Sequence, residues 1–235
     1  MNLPFVSCVT PTFNRRKFLP YLLYMYSYQQ YPINKRELII LDDSEQSNQD
    51  IIDDFLSKNP NENIRYIYST VRIKLGMKRN TLNELSKGDI IMAFDDDDYY
   101  PPEKIKYAVT KMNAHKVEIS GSSEMYLYYT NTGLIYKCGP FSNTHCTNAT
   151  VAYRRSYLKN RKYNDTADSA EEKAFLDNFE NPILQLDTMK NILCICHNSN
   201  TVDKNKSIPN SKLTNLKLKD FVKDKKLYTF YRSLN

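Results

Sequence analysis

The sequence predicts a single α/β domain: a doubly wound mixed sheet with helices on both of its faces. Two observations carry this. Short apolar, β-rich runs alternate with helix-periodic segments through the first ~120 residues, as in chains that wind helices over a largely parallel sheet. Three of those runs also stop abruptly at polar residues, near Thr12, Asp42 and Asp95. Right-handed crossovers bring such strand ends to one sheet edge, where open α/β sheets bind ligands.

The elements follow in order. Val6-Ser7-Cys8-Val9-Thr10 is β-rich and stops at Pro11, a first strand. From Arg16 to Tyr31, Leu19, Leu22, Leu23 and Tyr26 recur at helical spacing, and Pro32 closes the segment. Glu37 to Leu41 is a continuous apolar run entering Asp42-Asp43-Ser44, the pattern of a strand buried on both faces. Gln49–Ser57 is predicted helical, Ile64–Tyr68 a strand, and Met77–Ser86 helical. Asp89–Phe94 is another buried strand, ending directly in Asp95-Asp96-Asp97-Asp98. Pro102–His115 is predicted as a helix and Val117–Ser120 as a strand.

The second half reads differently. Met125–Thr130 and Leu134–Lys137 flank Asn131-Thr132-Gly133, a hairpin signal. Ala149–Arg154 and Ile192–Cys196 are expected strands, and Asp168–Phe179 a helix rich in acid at its start. Residues from Asn198 onward are polar and Lys-rich, with one short helix expected over Leu216–Lys225. With no linker or repeat, residues 1–235 are expected to form one domain. Its halves meet near residue 120, and a Lys-rich segment covers 201–235.

Bulk properties narrow the function classes. The chain has 235 residues, 41% hydrophobic and 26% charged, which fits a globular protein rather than a disordered one. A net charge of +6 is compatible with an anionic small molecule, but no basic patch interleaved with aromatics suggests nucleic acid. No stretch approaches the ~18 apolar residues of a membrane span, and the N-terminus lacks a signal-peptide pattern. Five scattered cysteines show no disulfide spacing, so a reducing, cytoplasmic setting is expected.

Four consecutive aspartates repel one another, and at the mouth of a buried strand they call for a compensating cation. Carboxylate oxygens suit hard cations such as Mg²⁺ or Mn²⁺, which also bind phosphates. The competing reading is a solvated acidic turn. Asp42-Asp43 is a second strand-end acidic pair, suited to a ribose or base, or else to a local turn. Gly76-Met77-Lys78-Arg79-Asn80 opens a helix, and its cations could pair with a diphosphate or with the aspartates. No glycine-rich phosphate loop is present.

These segments, in this order, resemble the family-2 glycosyltransferases of GT-A fold over about residues 5–105. Val9–Arg15 resembles the opening "IPTYN" element, Leu38–Ser44 "VDDGS", Gly76–Asn80 "G…ARN", and Phe94–Asp98 the "LDxDD" metal motif. The resemblance implies that Pro11, Thr12, Phe13 and Arg15 line a nucleobase pocket read by Asp42 or Asp43. It implies that Lys78, Arg79, Asp95 and Asp96 contact the donor. Asp97, helped by Asp95 and a late histidine, His197, would hold Mn²⁺ or Mg²⁺. Ala170–Leu176 resembles the "ED" motif, whose aspartate is replaced here by Glu172. Glu172, Glu171 and Asp168 are therefore the candidate bases.

The implied reaction is metal-dependent, inverting transfer of a sugar from a nucleotide diphosphate, a UDP-sugar such as UDP-glucose, to a hydroxyl acceptor on a glycan or protein. Two other readings stay open. One is a nucleotidyltransferase, which would want a glycine-rich loop after the first strand. The other is an inactive carbohydrate-binding module, against which the intact Asp95, Asp97 and Glu172 speak.

Overall fold

In the computed structural model, residues 3–200 and 204–234 are described. Strand and helix alternate as β1 (Val6–Thr12), α1 (Leu19–Ser27), β2 (Arg36–Asp42), α2 (Gln49–Lys58), β3 (Ile64–Tyr68), α3 (Leu75–Leu85), β4 (Ile90–Ala93), α4 (Lys104–His115) and β5 (Ile119–Gly121). The hairpin β6 (Met125–Tyr129) and β7 (Leu134–Cys138) follows. Then come β8 (Ala152–Arg154), α5 (Glu172–Phe175), β9 (Leu184–Gln185), β10 (Cys194–Cys196), β11 (Ser211–Leu213), α6 (Leu218–Phe221) and α7 (Lys225–Ser233).

The main sheet has the order β3-β2-β1-β4-β8-β5-β9. Its first four strands are parallel, and β8 runs antiparallel to both β4 and β5, so the sheet is mixed. The chain reverses its winding at β1, which pairs with both β2 and β4. Thr12 is in register with Asp42 and Val9 with Ala93, so Pro11–Phe13, Asp43 and Asp95–Asp98 all leave the sheet at one edge. The expectation drawn from the three polar strand ends holds.

Alternation along these strands fills two cores. Val6, Cys8, Leu38, Ile40, Ile90 and Met92 face one side, where α1 supplies Leu19, Leu22 and Leu23. Val9, Ile39, Leu41, Ile91 and Ala93 face the other, against Leu82, Tyr163 and Phe175. Both faces being apolar explains why the strands read as continuous hydrophobic runs. The first core also takes Tyr128, Ile135 and Ile195 from a second sheet, β10-β6-β7-β11, which makes the chain one body.

Several second-half expectations are corrected. The helix expected over Asp168–Phe179 shrinks to α5 and a single 3₁₀ turn at Asp177–Phe179. Ala170, Asp177, Asn178 and Phe179 all have positive φ, which a right-handed helix cannot contain. The start of the strand expected at Ala149–Arg154 is a 3₁₀ turn, Asn148–Thr150, so β8 begins only at Ala152. The strand expected from Ile192 begins at Cys194, because Leu193 is taken by an isolated bridge to Tyr99.

The single helix expected at Leu216–Lys225 is instead α6 plus a longer α7. The side chain of Asp224 accepts from Leu227 N and caps α7, which buries Leu227, Phe230 and Tyr231. Among the described residues no helix is long and apolar enough to cross a membrane.

Candidate functional site

A cleft of about 850 Å³ opens where β1 and β4 end. Pro11, Thr12, Phe13 and Arg15 form one wall together with Arg72–Leu75. Asp95–Asp98, Thr147–Ala149 and Asp168–Glu172 also line the cleft. Asn200 and Lys204 close one end. The volume suits a nucleotide-sized ligand.

The aspartate loop is pinned from behind. Asp95 N donates to Tyr100 Oη (2.7 Å), and Tyr99 exchanges both backbone hydrogen bonds with Leu193 (3.0 and 2.9 Å). Asp98 Oδ1 accepts from Ile195 N (2.9 Å) while its carbonyl accepts from Tyr231 Oη (3.0 Å). Asp98 thus ties the loop to β10 and α7.

The four carboxyls do not titrate alike. Burial pushes Asp95 up, against the opposing charge of Arg79. Burial and the neighbouring Asp97 push Asp96 well up, and burial together with Cys194 and Asp97 does the same to Asp98. At Asp97 burial is outweighed by the hydrogen bond to His197 and the charge of Arg15, so its carboxyl sits below the usual range. Within the cluster, Asp97 is the one carboxyl whose pKa is lowered.

His197 lies where the sequence expectation put it. Its side chain is fully buried, its ring packs on Phe18 (4.7 Å between centroids), and Nε2 is 3.2 Å from Asp97 Oδ2. Nδ1 lies 3.1 Å from Ser199 N, and Nε2 lies 3.2 Å from Asn200 Nδ2. Arg15 Nε lies 3.5 Å and Asn200 Nδ2 3.3 Å from Asp97 Oδ2. A cation with ligand bonds of ~2.1 Å spans two donors ~3 Å apart, so a carboxylate oxygen and an imidazole nitrogen at this separation fit Mn²⁺ or Mg²⁺. No cluster of three His, Cys, Asp or Glu residues suited to a metal occurs among the described residues. Any remaining ligands would therefore come from substrate phosphate and water.

Asp42 and Asp43, paired in the sequence reading, part company. Asp42 is fully buried and accepts from Ser44 N (2.8 Å), Ser44 Oγ, Asn48 Nδ2 (2.7 Å) and Tyr66 Oη (2.7 Å). Neither Asp42 nor Asp43 lines the cleft, which leaves the base-reading expectation without a cleft-lining side chain at either position. Asp43 accepts from Lys78, Arg72 Nη1 (2.5 Å) and Ile73 N (2.6 Å), and these donors outweigh burial and hold its pKa down. Arg72 also stacks on Phe13, 3.6 Å from the ring centroid.

Gly76–Asn80 binds protein on both of its sides. A Cβ on Gly76 would stand 1.8 Å from the carbonyl oxygen of Asn164, so glycine here admits the 164–167 loop rather than a phosphate. Asn80 exchanges hydrogen bonds with the backbone of Tyr163 (both 2.9 Å). Arg79 is buried, donates to Glu171 Oε1 (2.6 Å) and lies 3.4 Å from Asp95 Oδ1. With its oxygen turned to Arg79, the Asn148 amide accepts at 2.8–3.1 Å and donates to Tyr163 Oη at 2.7 Å.

The three candidate bases separate by environment. Asp168 is exposed and pairs with Lys74 at the rim. Glu171 is buried in the Arg79 ion pair. Glu172 lines the cleft, and burial followed by the charge of Glu171 raises its pKa. Sequence reasoning missed Arg72, Asn148, Asn200 and Lys204. Each sits in irregular chain without a motif, and Asn200 gave a signal only by standing three residues after His197.

The family model described as Glycosyl transferase family 2 matches residues 7–162. No curated protein sequence matches the chain. Among solved structures it is similar to S. aureus TarS 1–349, with 20% identity and a TM-score of 0.65 over 82% of this chain and 60% of that one. The same protein in complex with UDP-GlcNAc gives a TM-score of 0.64 at 18% identity, over 83% of this chain and 60% of that one. Mannosyltransferase PcManGT from Pyrobaculum calidifontis, in complex with GDP-Man and Mn²⁺, gives 0.65 at 14% identity, over 83% and 57%. The chain thus spans about three fifths of the length of these structures.

Proposed function

Because the chain belongs to glycosyl transferase family 2 and has the GT-A fold, we propose that it transfers a sugar, with inversion, from a uridine diphosphate donor to a hydroxyl acceptor. One observation carries this reading. Asp97, 3.2 Å from the His197 imidazole, lines the same cleft as Glu172, a carboxyl with a raised pKa. One site therefore holds a cation and phosphate locus together with a proton acceptor.

The donor wall supports uracil. Arg72, Ile73 and Lys78 line the cleft, while Asp43, which does not, has both carboxylate oxygens taken by them and offers no free acceptor pair. Uracil presents two carbonyl oxygens and one N–H, whereas guanine's N1–H and amino group call for a carboxylate. Of the similar structures, TarS is in complex with UDP and PcManGT with GDP-Man, so base choice is a matter for this chain's own residues.

In the proposed mechanism, Glu172 accepts the proton of the acceptor hydroxyl, whose oxygen forms a bond to the anomeric carbon. The bond from that carbon to the diphosphate oxygen breaks on the opposite face. A divalent cation on Asp97 and His197 would supply charge neutralisation to the leaving diphosphate. Arg15 orients Asp97, and Arg79 fixes Glu171 and Asp95, holding both walls at a constant distance. Asp168, solvated and paired with Lys74, stays outside the proton transfer.

The test is incubation with Mn²⁺ and a panel of nucleotide sugars, following release of nucleoside diphosphate. UDP release from a UDP-sugar, lost in Asp97→Ala, is the expected result. Pyrophosphate release in a parallel incubation with nucleoside triphosphates and sugar 1-phosphates would replace this reading with nucleotidyl transfer. Absence of either product across the panel, with saccharide binding retained, would replace it with an inactive binding module.

A further inference from the structure

Three chain segments lead out of the acceptor-side wall to a patch of aromatic rings that the proposed reaction does not use. Phe141 is 56% exposed, the highest exposure of any aromatic among the described large hydrophobics. Its ring meets His145 edge-on, 4.9 Å between centroids, and His145 packs against Phe179 at 4.7 Å. We propose that Phe141, backed by His145 and Phe179, is a stacking platform for a sugar ring of the acceptor glycan. The inference rests on the reading of the chain as a glycosyltransferase.

The ring is displayed on a fixed backbone. Phe141 N donates to Ser123 O (3.2 Å), and Ile183 N donates to Asn143 O (2.9 Å). Gln185 Nε2 reaches His145 O (3.1 Å) and Asn143 O (3.4 Å). His145 Nδ1 is buried with no hydrogen-bond partner, and burial lowers the pKa of the ring. A neutral imidazole held by its faces is an apolar support. Phe179 reaches it through a run of three positive-φ residues, Asp177, Asn178 and Phe179, with Asp177 anchored by Arg161 (2.9 Å). Such a run persists only where surrounding contacts compel it.

Position joins the platform to the cleft. Ser123 stands two residues before Met125, and His145 two before Thr147, and both Met125 and Thr147 line the cleft. Phe179 follows the base candidate Glu172 by seven residues. The platform is therefore tied by short stretches of chain to residues that line the cleft. The Ser142 and Thr144 hydroxyls, 2.9 Å apart, follow Phe141 in the same segment. A pyranose matches this combination, with C–H groups on one face and hydroxyls around its edge. One ring with a hydroxyl rim is far smaller than the ~800 Å² per partner that a stable protein interface needs.

The chain contains no tryptophan, so Phe141→Trp introduces a single indole at the platform. Its emission is titrated with N-acetylglucosamine, cellotriose, maltotriose and mannotriose, while UDP with Mn²⁺ is followed by thermal shift in the same variant. A saturable emission change with at least one saccharide is expected. For that saccharide, Phe141→Ala should raise the acceptor KM about 3- to 10-fold, leaving the UDP thermal shift and acceptor-independent donor hydrolysis unchanged.

An unchanged acceptor KM in Phe141→Ala would overturn the platform, as would intact UDP binding with no emission change for any saccharide. Absence of the UDP shift in the wild type would instead sink the transferase reading and the platform with it. The two failures are thus read from different signals.

Discussion

On the donor side of the cleft, backbone hydrogen bonds between parallel strands bring Thr12, Asp43 and Asp95 to one edge. On the acceptor side, the 163–172 loop has almost no regular structure, and the side chains of α3 hold it: Asn80 on Tyr163, and Arg79 on Glu171. The first wall is set by the strand ladder, whose geometry depends little on any one side chain. The second depends on a few buried polar contacts, each with few substitutes. Damage to donor binding should therefore come from residues that touch ligand, and damage to the acceptor side from residues that touch only protein.

The largest expected effect is that of Asp97→Ala, which should reduce transfer to background and abolish Mn²⁺-dependent donor binding, measured by turnover and by calorimetry. Glu172→Gln should lower kcat about 10²- to 10⁴-fold while leaving donor affinity at the wild-type value. If both substitutions weaken donor binding equally, the contrast between the walls is gone. Because the pKa of Glu172 is raised and the base must be ionised, kcat should climb with pH through that raised value. Glu172→Gln should lose this acidic limb.

Glu171→Ala leaves a buried arginine without its closest partner and should cost about 3–5 kcal/mol in a denaturant titration. Lys74→Ala, which breaks an exposed pair with Asp168, should leave the midpoint unmoved. Gly76→Ala drives a methyl into the Asn164 carbonyl and should cost about 1–3 kcal/mol, with transfer falling more than donor affinity. The smallest effect belongs to Gly133→Ala in the β6–β7 turn. There φ is +69° and nothing lies within 4 Å of an added Cβ, so about 1 kcal/mol is expected and transfer should be untouched.

The same division explains what the sequence disclosed. Strands buried on both faces announce themselves as apolar runs, and β3 was legible to the residue while β1, β2 and β4 were legible to within one or two. The acceptor loop was misread because its acids and apolar residues imitate a helix, whereas Ala170 and Asp177–Phe179 take a handedness that composition does not encode. At the site, Asp97 and His197 stood at strand ends and could be seen. Asp42 looked equal to Asp43 because neighbouring side chains at a strand end point in different directions, one to Ser44 and Asn48 and one to Lys78 and Arg72. The helix α7 did carry a signal, Leu227, Phe230, Tyr231 and Leu234 at helical spacing behind the cap Asp224, but abundant lysine obscured it.

The hydrogen bond from Tyr231 to the Asp98 carbonyl spans 133 residues of chain. A ribosome adding 5–20 residues per second needs roughly 7 to 27 s to cover that distance. During that interval β1 to β4 have been synthesised, while the aspartate loop still lacks its rear support from α7. Truncation ahead of residue 231 would leave the acidic loop without that brace.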